Sequence, residues 1–183
     1  ANPGGKSLGV AMADFDGDGF TDLFVANDAV QQFLYRNRGG GRFEDVAFEA
    51  FAAFDQDGKA FSGLGTDAAD YDNDGRPDAV VTNLSNQCYA LFRNLGDWTF
   101  SYETHASGLG RISLLSSGWG VRFLDYDNDG WKDLFLVQGH VLDTIELTSP
   151  HLRYRQPPLI ARNEGGRFRD VSAGAGEVLR IAP

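Results

Sequence analysis

The string Asp-x-Asp-x-Asp-Gly-x-x-Asp occurs three times, and its spacing limits what this chain can fold into. The copies are Asp14-Phe15-Asp16-Gly17-Asp18-Gly19-Phe20-Thr21-Asp22, Asp70-Tyr71-Asp72-Asn73-Asp74-Gly75-Arg76-Pro77-Asp78 and Asp125-Tyr126-Asp127-Asn128-Asp129-Gly130-Trp131-Lys132-Asp133. Their first aspartates lie 56 and 55 residues apart. A period that steady marks one structural unit used three times.

The flanking sequence repeats as well. Before each string comes a small-residue stretch: Leu8-Gly9-Val10-Ala11-Met12-Ala13, then Gly63-Leu64-Gly65-Thr66-Asp67-Ala68-Ala69, then Gly118-Trp119-Gly120-Val121-Arg122-Phe123-Leu124. Glycine inside a strand signals close backbone approach, as at a crowded axis. After each string comes an apolar run, Leu23-Phe24-Val25-Ala26, Ala79-Val80-Val81-Thr82 or Leu134-Phe135-Leu136-Val137. Such continuous runs suit strands covered on both faces. A third run ends at Arg36-Asn37, Arg93-Asn94 or Arg162-Asn163, and a Gly-rich turn leads into a fourth at 42–46, 98–102 or 167–171. These are hairpin signals. For the Arg-Asn pairs the local reading is structural: Asn tolerates a left-handed turn and Arg pairs along an edge.

Each unit therefore reads as four short antiparallel strands with the acidic loop between the first two. Four-stranded sheets repeated radially make a β-propeller. The expected fold class is all-β: one propeller segment over 1–183, with blades over 7–50, 62–104 and 117–172. Propellers close with about four to eight blades. A fourth first aspartate would fall at about position 195 on the same period. The expectation is thus that further blades come from a longer polypeptide or from copies of this chain that complete a ring. Ala1 stands where an initiator Met would, so translation is expected to begin upstream.

Carboxylates at alternate positions of a tight loop converge on one centre, and glycine at position six permits the sharp bend. The expected ligands are the carboxylates of Asp14, Asp16, Asp18 and Asp22, of Asp70, Asp72, Asp74 and Asp78, and of Asp125, Asp127, Asp129 and Asp133. The position-seven carbonyls of Phe20, Arg76 and Trp131 join them. Four carboxylates and a carbonyl suit an ion that accepts six to eight oxygens in flexible geometry, which favours Ca2+ over Mg2+. Three calcium sites are expected. An EF-hand would need Glu at position twelve and flanking helices; Val25, Val81 and Leu136 stand there. The plainer alternative is that the Asp-Gly strings are hairpin turns. Three copies of mutually repelling carboxylates argue for a cation instead.

The net charge is −10, and the three loops supply 12 of the 26 acidic side chains. Three calcium ions would add six positive charges and bring −10 to −4. No basic patch competes with these loops, which argues against nucleic acid as a partner. No stretch is long enough for a membrane-spanning helix. Cys88 is the single cysteine and, in the run Cys88-Tyr89-Ala90-Leu91-Phe92, is expected as a buried thiol. His105, His140 and His151 are isolated, with no nucleophile, phosphate loop or zinc spacing beside them. The third unit is longer: Asp133 to Arg162 spans 29 residues, against 14 and 15 in the other units. The insertion falls near 140–156 and is either a binding surface or a tolerated surface loop.

The loops, the glycine strands and the Asp-Leu-Phe-Val continuation resemble the FG-GAP/VCBS repeats of integrin α-subunit propellers and of many bacterial surface proteins. The phrasing is most similar to bacterial proteins related to cartilage acidic protein, which often carry an ASPIC/UnbV domain. Gly139-His140-Val141 and the stretch from Gln156 through Arg162-Asn163 to Ser172 carry that likeness. The literal Phe-Gly and Gly-Ala-Pro pieces are not present, nor is an ASPIC/UnbV region. The resemblance implies calcium on the matching aspartates, a propeller typically of seven blades, and export. It implies a non-enzymatic calcium-binding module of an extracellular, cell-surface or periplasmic protein, with loops presented to a protein or glycan partner. The alternatives are the propeller part of a polysaccharide-active enzyme, or a purely structural segment of a large surface protein.

Overall fold

The computed structural model describes residues 4–180. Three antiparallel sheets follow one another along the chain. The first contains β1 (Ser7–Ala13), β2 (Asp22–Val30), β3 (Phe33–Asn37) and β4 (Phe43–Asp45), in that order, and a two-residue strand β5 (Phe61–Ser62) also pairs with β2. The second contains β6 (Thr66–Ala69), β7 (Asp78–Val81), β8 (Ala90–Asn94) and β9 (Phe100–Tyr102). A short helix α1 (Leu109–Ser113) leads to the third sheet, β10 (Gly118–Leu124), β11 (Asp133–Gln138), β12 (Leu159–Asn163) and β13 (Phe168–Asp170). This is an all-β architecture of three four-stranded, blade-like sheets.

The register places every acidic loop at the same point. Ala13 faces Asp22, Ala69 faces Asp78 and Leu124 faces Asp133, so each string closes the hairpin between first and second strands. The second strands carry apolar runs because neighbours cover them from both sides; all four residues of β7 are buried. Two apolar clusters fill the spaces between sheets. Phe24 and Ala11 of the first sheet pack with Phe92, Phe100 and Val81 of the second. Leu91 and Tyr71 of the second pack with Leu136, Leu134 and Phe168 of the third. Aromatic rings seam these layers, with Phe15 edge-on to Phe100 at 5.8 Å and Tyr71 stacked on Phe168 at 5.8 Å.

Gly9 in β1 and Gly65 just before β6 are required by the approach of neighbouring backbone. A Cβ on Gly9 would lie 2.6 Å from the Leu64 carbonyl oxygen, and one on Gly65 would lie 2.1 Å from that of Trp119. Both contacts join one sheet to the next, the close backbone approach that glycine at these positions signals.

The 140–156 insertion is folded, with α2 (Ile145–Thr148) inside it. His140 N–H donates to the Tyr154 carbonyl at 2.9 Å, and the buried Gln156 amide oxygen accepts the Ser117 N–H at 2.9 Å. Cys88 departs from expectation. It is half-buried and precedes β8, with its carbonyl taken by the Asn83 side-chain amide. The apolar run that suggested a strand begins two residues too early, because the chain is still turning into β8.

Gly65→Ala is expected to destabilise the chain by about 1–3 kcal/mol, since backbone on the far side cannot yield as a side chain would. Gly120→Ala, whose Cβ would meet only the Val137 side chain at 3.4 Å, should be nearly silent. Thermal unfolding of the two variants side by side checks the contrast.

Candidate metal centre

Each acidic string folds on its own first carboxylate. The Asp14 side chain accepts N–H groups of Gly17, Asp18 and Gly19 at 2.8–3.1 Å. Asp70 accepts those of Asp74 and Gly75, and Asp125 those of Asp129 and Gly130. The position-five carboxylate then accepts the N–H of position seven, so Asp18 holds Phe20, Asp74 holds Arg76 and Asp129 holds Trp131. Position six is glycine for conformational reasons: φ is 88°, 89° and 91° at Gly19, Gly75 and Gly130, with open space where a Cβ would be. Position four is left-handed too, occupied by Gly17, Asn73 and Asn128. Asn tolerates that region better than most residues.

The ninth residue has a role the loop sequence did not disclose. Asp22, Asp78 and Asp133 are fully buried. One oxygen of each accepts the N–H of position two, at 2.9 Å for Phe15, 3.0 Å for Tyr71 and 3.2 Å for Tyr126. The other accepts the N–H of the Asn that ends the third strand, at 2.8 Å for Asn37, 2.8 Å for Asn94 and 2.7 Å for Asn163. This carboxylate clasps the loop to the third strand of its own sheet.

Carboxylate oxygens still converge. Single oxygens of Asp14, Asp16 and Asp18 lie within 4.8 Å of one another, as do those of Asp70, Asp72 and Asp78, and of Asp125, Asp127 and Asp133. Ligands of one Ca2+ at 2.3–2.6 Å can be separated by about twice that distance, so the triads have suitable dimensions. Asp74 and Asp129 stand beside their triads, turned toward arginine. In the second loop, Oδ1 of Asp72 is buried and makes no hydrogen bond. A buried acceptor without a donor is costly, and a bound cation would satisfy it.

Arginine enters all three loops, which the local reading of Arg-Asn as a simple edge pair missed. Arg36 reaches Asp16 at 2.6 Å and Asp18 at 3.9 Å. Arg93 reaches Asp72 at 2.5 Å and Asp74 at 3.3 Å, and Arg162 reaches Asp127 at 2.9 Å and Asp129 at 3.0 Å. Arg76 adds a second guanidinium on Asp74 and donates to the Asn94 carbonyl. Each loop thus carries four carboxylates against one arginine, or two in the second loop, and keeps a negative surplus. The recurrence of Arg at the end of every third strand was the available signal.

The asparagines depart further from expectation, since they lie within strands and not in left-handed turns. Asn37, Asn94 and Asn163 donate their side-chain amides to the position-eight carbonyls of Thr21, Pro77 and Lys132. Asn94 also donates to the Phe15 carbonyl at 2.8 Å, and Asn163 to that of Tyr71 at 2.7 Å. Those carbonyls belong to the acidic loop of the preceding sheet. Replacing Asn94 by Ala orphans a buried carbonyl and should cost about 1–3 kcal/mol. Asn37→Ala, which breaks only bonds within the first sheet, should cost less in the same urea titration.

Burial pushes the clasping carboxyls upward: Asp22 and Asp133 are raised, and Asp78 reaches about 7, because desolvation outweighs the two N–H bonds each accepts. Asp72 is raised for the same reason, against the pull of Arg93. A carboxyl raised in the fold favours the folded state below its unfolded pKa, and that contribution is lost as pH rises through its folded value. In chelator, the thermal midpoint should therefore fall as pH goes from about 5 to about 8. A midpoint that rises across that window would refute the assignment of Asp78 as a strained buried acid.

His140 is used locally, its Nδ1 accepting the Leu142 N–H at 3.0 Å. No helix among the described residues is long and apolar enough to cross a membrane.

No curated protein matches the chain. A solved structure titled "Structural basis of specific recognition of non-reducing terminal N-acetylglucosamine by an Agrocybe aegerita lection" is similar over 86% of this chain, at 22% identity and a TM-score of 0.47. The matched region is 35% of that chain's length. The sequence profile described as FG-GAP-like repeat matches residues 14–81 and again 70–136, each span running from one acidic loop through the next. With its periodic loops, its three matching sheets and a profile match over most of its length, this chain belongs to the FG-GAP-like repeat family.

Proposed function

We propose that this chain is a calcium-stabilised segment of a β-propeller, part of an exported or cell-surface protein, whose loops are held rigid for binding a protein or glycan partner. The observation that carries the reading is the convergence of three carboxylate oxygens within 4.8 Å in every loop. The ligands would be Asp14, Asp16, Asp18 and Asp22, with their counterparts Asp70, Asp72, Asp74 and Asp78, and Asp125, Asp127, Asp129 and Asp133. The carbonyls of Phe20, Arg76 and Trp131 would complete the shells. Arginine offsets part of the charge, and a divalent ion would offset the rest.

Calcium would act here as a fastener. The position-nine residue of each loop already holds the third strand, and the position-two residues of the first two loops, Phe15 and Tyr71, hold the neighbouring sheet, so fixing the loop fixes the blade. Extracellular modules bind calcium at roughly 10⁻⁴–10⁻³ M, a range that exported environments saturate. A groove of about 540 Å³ lined by Phe48, Phe51, Phe54, Phe100 and Tyr102 lies on the link after the first sheet. Aromatic faces rimmed by Glu49 and Asp55 suit the apolar face of a sugar ring or a partner's side chain. The role assigned is binding and not catalysis.

Calorimetric titration of the chelated chain with calcium should give three ions per chain. The double variant Asp127→Asn/Asp129→Asn should give two and lose thermal stability chiefly in calcium. An equal loss in chelator, or a wild-type chain that takes up no calcium, would contradict the reading.

A further inference from the structure

Two phenylalanines stand out from the surface at the joint between the first two sheets, where the link from β4 to β5 crosses onto the second sheet. The joint is already formed there, since the Phe100 N–H of β9 donates to the Ala50 carbonyl at 2.9 Å. Phe48 and Phe51 of that link are each 70% exposed. Phe51 is also held at φ 58°, a left-handed conformation in which a bulky side chain is an outlier. Strain of this kind persists only where the surroundings fix it, and it concentrates at ligand clamps. Here Ala50 and Ala52 fix it from either side, their N–H groups donating to the Val46 and Ala47 carbonyls at 2.9 Å. The link thus forgoes both the burial of two rings and an ordinary turn in order to present them.

The groove beside these rings holds about 540 Å³. Phe54, Phe100 and Tyr102 supply its more buried side, and Phe48 stands nearly perpendicular to Phe54, at 86° with 6.4 Å between centroids. Two carboxylates, Glu49 and Asp55, line the groove, and none of the residues lining it is basic. Asp55 is fixed through Oδ1, which accepts the N–H groups of Asp57 and Lys59 at 2.9 and 2.8 Å. Its charge is felt inside: burial first, and Asp55 after it, push the Tyr102 phenol up to about 12 against a hydrogen bond with Thr104.

Aromatic faces are the negative part of the ring quadrupole, and the two carboxylates add to that field. The face of a neutral sugar gains nothing from the added charge, and a lysine ammonium is too strongly hydrated to enter a wall of rings. A quaternary ammonium spreads its charge over methyl groups, so it suits the rings and the carboxylates together. We infer that this groove binds the quaternary ammonium head group of a choline-type ligand, its methyl groups against Phe48, Phe51, Phe54 and Tyr102 and its charge facing Glu49 and Asp55. The inference goes beyond the calcium reading and rests on it only in taking the chain for a binding module.

Titration of the whole chain in calcium with choline, followed through NMR shifts of the amides at 48–58 and 100–102, tests it. The comparison probe is dimethylbutanol, the uncharged isostere in which carbon replaces the choline nitrogen. Choline should saturate those shifts and bind roughly ten-fold tighter than the isostere. Phe48→Leu, Phe51→Leu and Glu49→Gln, all at exposed positions, should each weaken choline several-fold and leave the isostere unchanged. Choline that fails to saturate, or binds no tighter than the isostere, overturns the assignment, and so do variants that hold choline as the wild type does. A methyl glucoside that binds there more tightly than choline overturns it in favour of a glycan, and acetyl-lysine methylamide doing so overturns it in favour of a protein side chain. Ion counts on the same samples keep the two readings apart: three ions without choline binding refutes this inference alone, while choline binding without ions supports it and refutes the calcium.

Discussion

A buried carboxylate with both oxygens committed to backbone N–H groups holds each sheet to its acidic loop. Asp22, Asp78 and Asp133 occupy that position, and each binds the second residue of its loop and the Asn that ends its third strand. From there the network leaves the sheet. Asn94 and Asn163 pass the connection to the preceding loop through the Phe15 and Tyr71 carbonyls. The clasp within a sheet and the joint between sheets are therefore one continuous chain of hydrogen bonds, with the acidic loop at each node.

That arrangement explains why so much negative charge is tolerated there. Carboxylates whose oxygens lie within 4.8 Å of one another repel by roughly 1–3 kcal/mol per pair, depending on how much water reaches them. The arginine at the end of the third strand offsets part of this and bridges two carboxylates of its loop with one guanidinium. Even so, Oδ1 of Asp72 remains buried without a donor. A cation inside the loop would answer both the surplus charge and the orphaned acceptor. Arginine and metal then have complementary positions, one at the rim and one at the centre.

Much of the fold was legible in the sequence because the repeat is local. The spacing of the aspartates, the glycine strands before them and the apolar runs after them each lie within a few residues, and all three sheets formed where those patterns stood. The joints were not legible. Asn94 meets Phe15 across 79 residues and Asn163 meets Tyr71 across 92, so no local window contains both partners. Likewise the dual duty of the ninth aspartate depends on the third strand returning to the loop, which in the third unit happens only after a 29-residue excursion. Cys88 was misplaced for the opposite reason: its neighbours are apolar, but the backbone has not yet entered β8.

Anomalous diffraction from crystals grown in calcium decides whether a cation sits inside each loop. One calcium peak is expected inside each loop, among Asp14, Asp16 and Asp18, among Asp70, Asp72 and Asp78, and among Asp125, Asp127 and Asp133, with Arg36, Arg93 and Arg162 at the rim. Loops without peaks, closed by the arginines alone, would contradict it and leave the aspartate strings as turns that arginine is sufficient to hold.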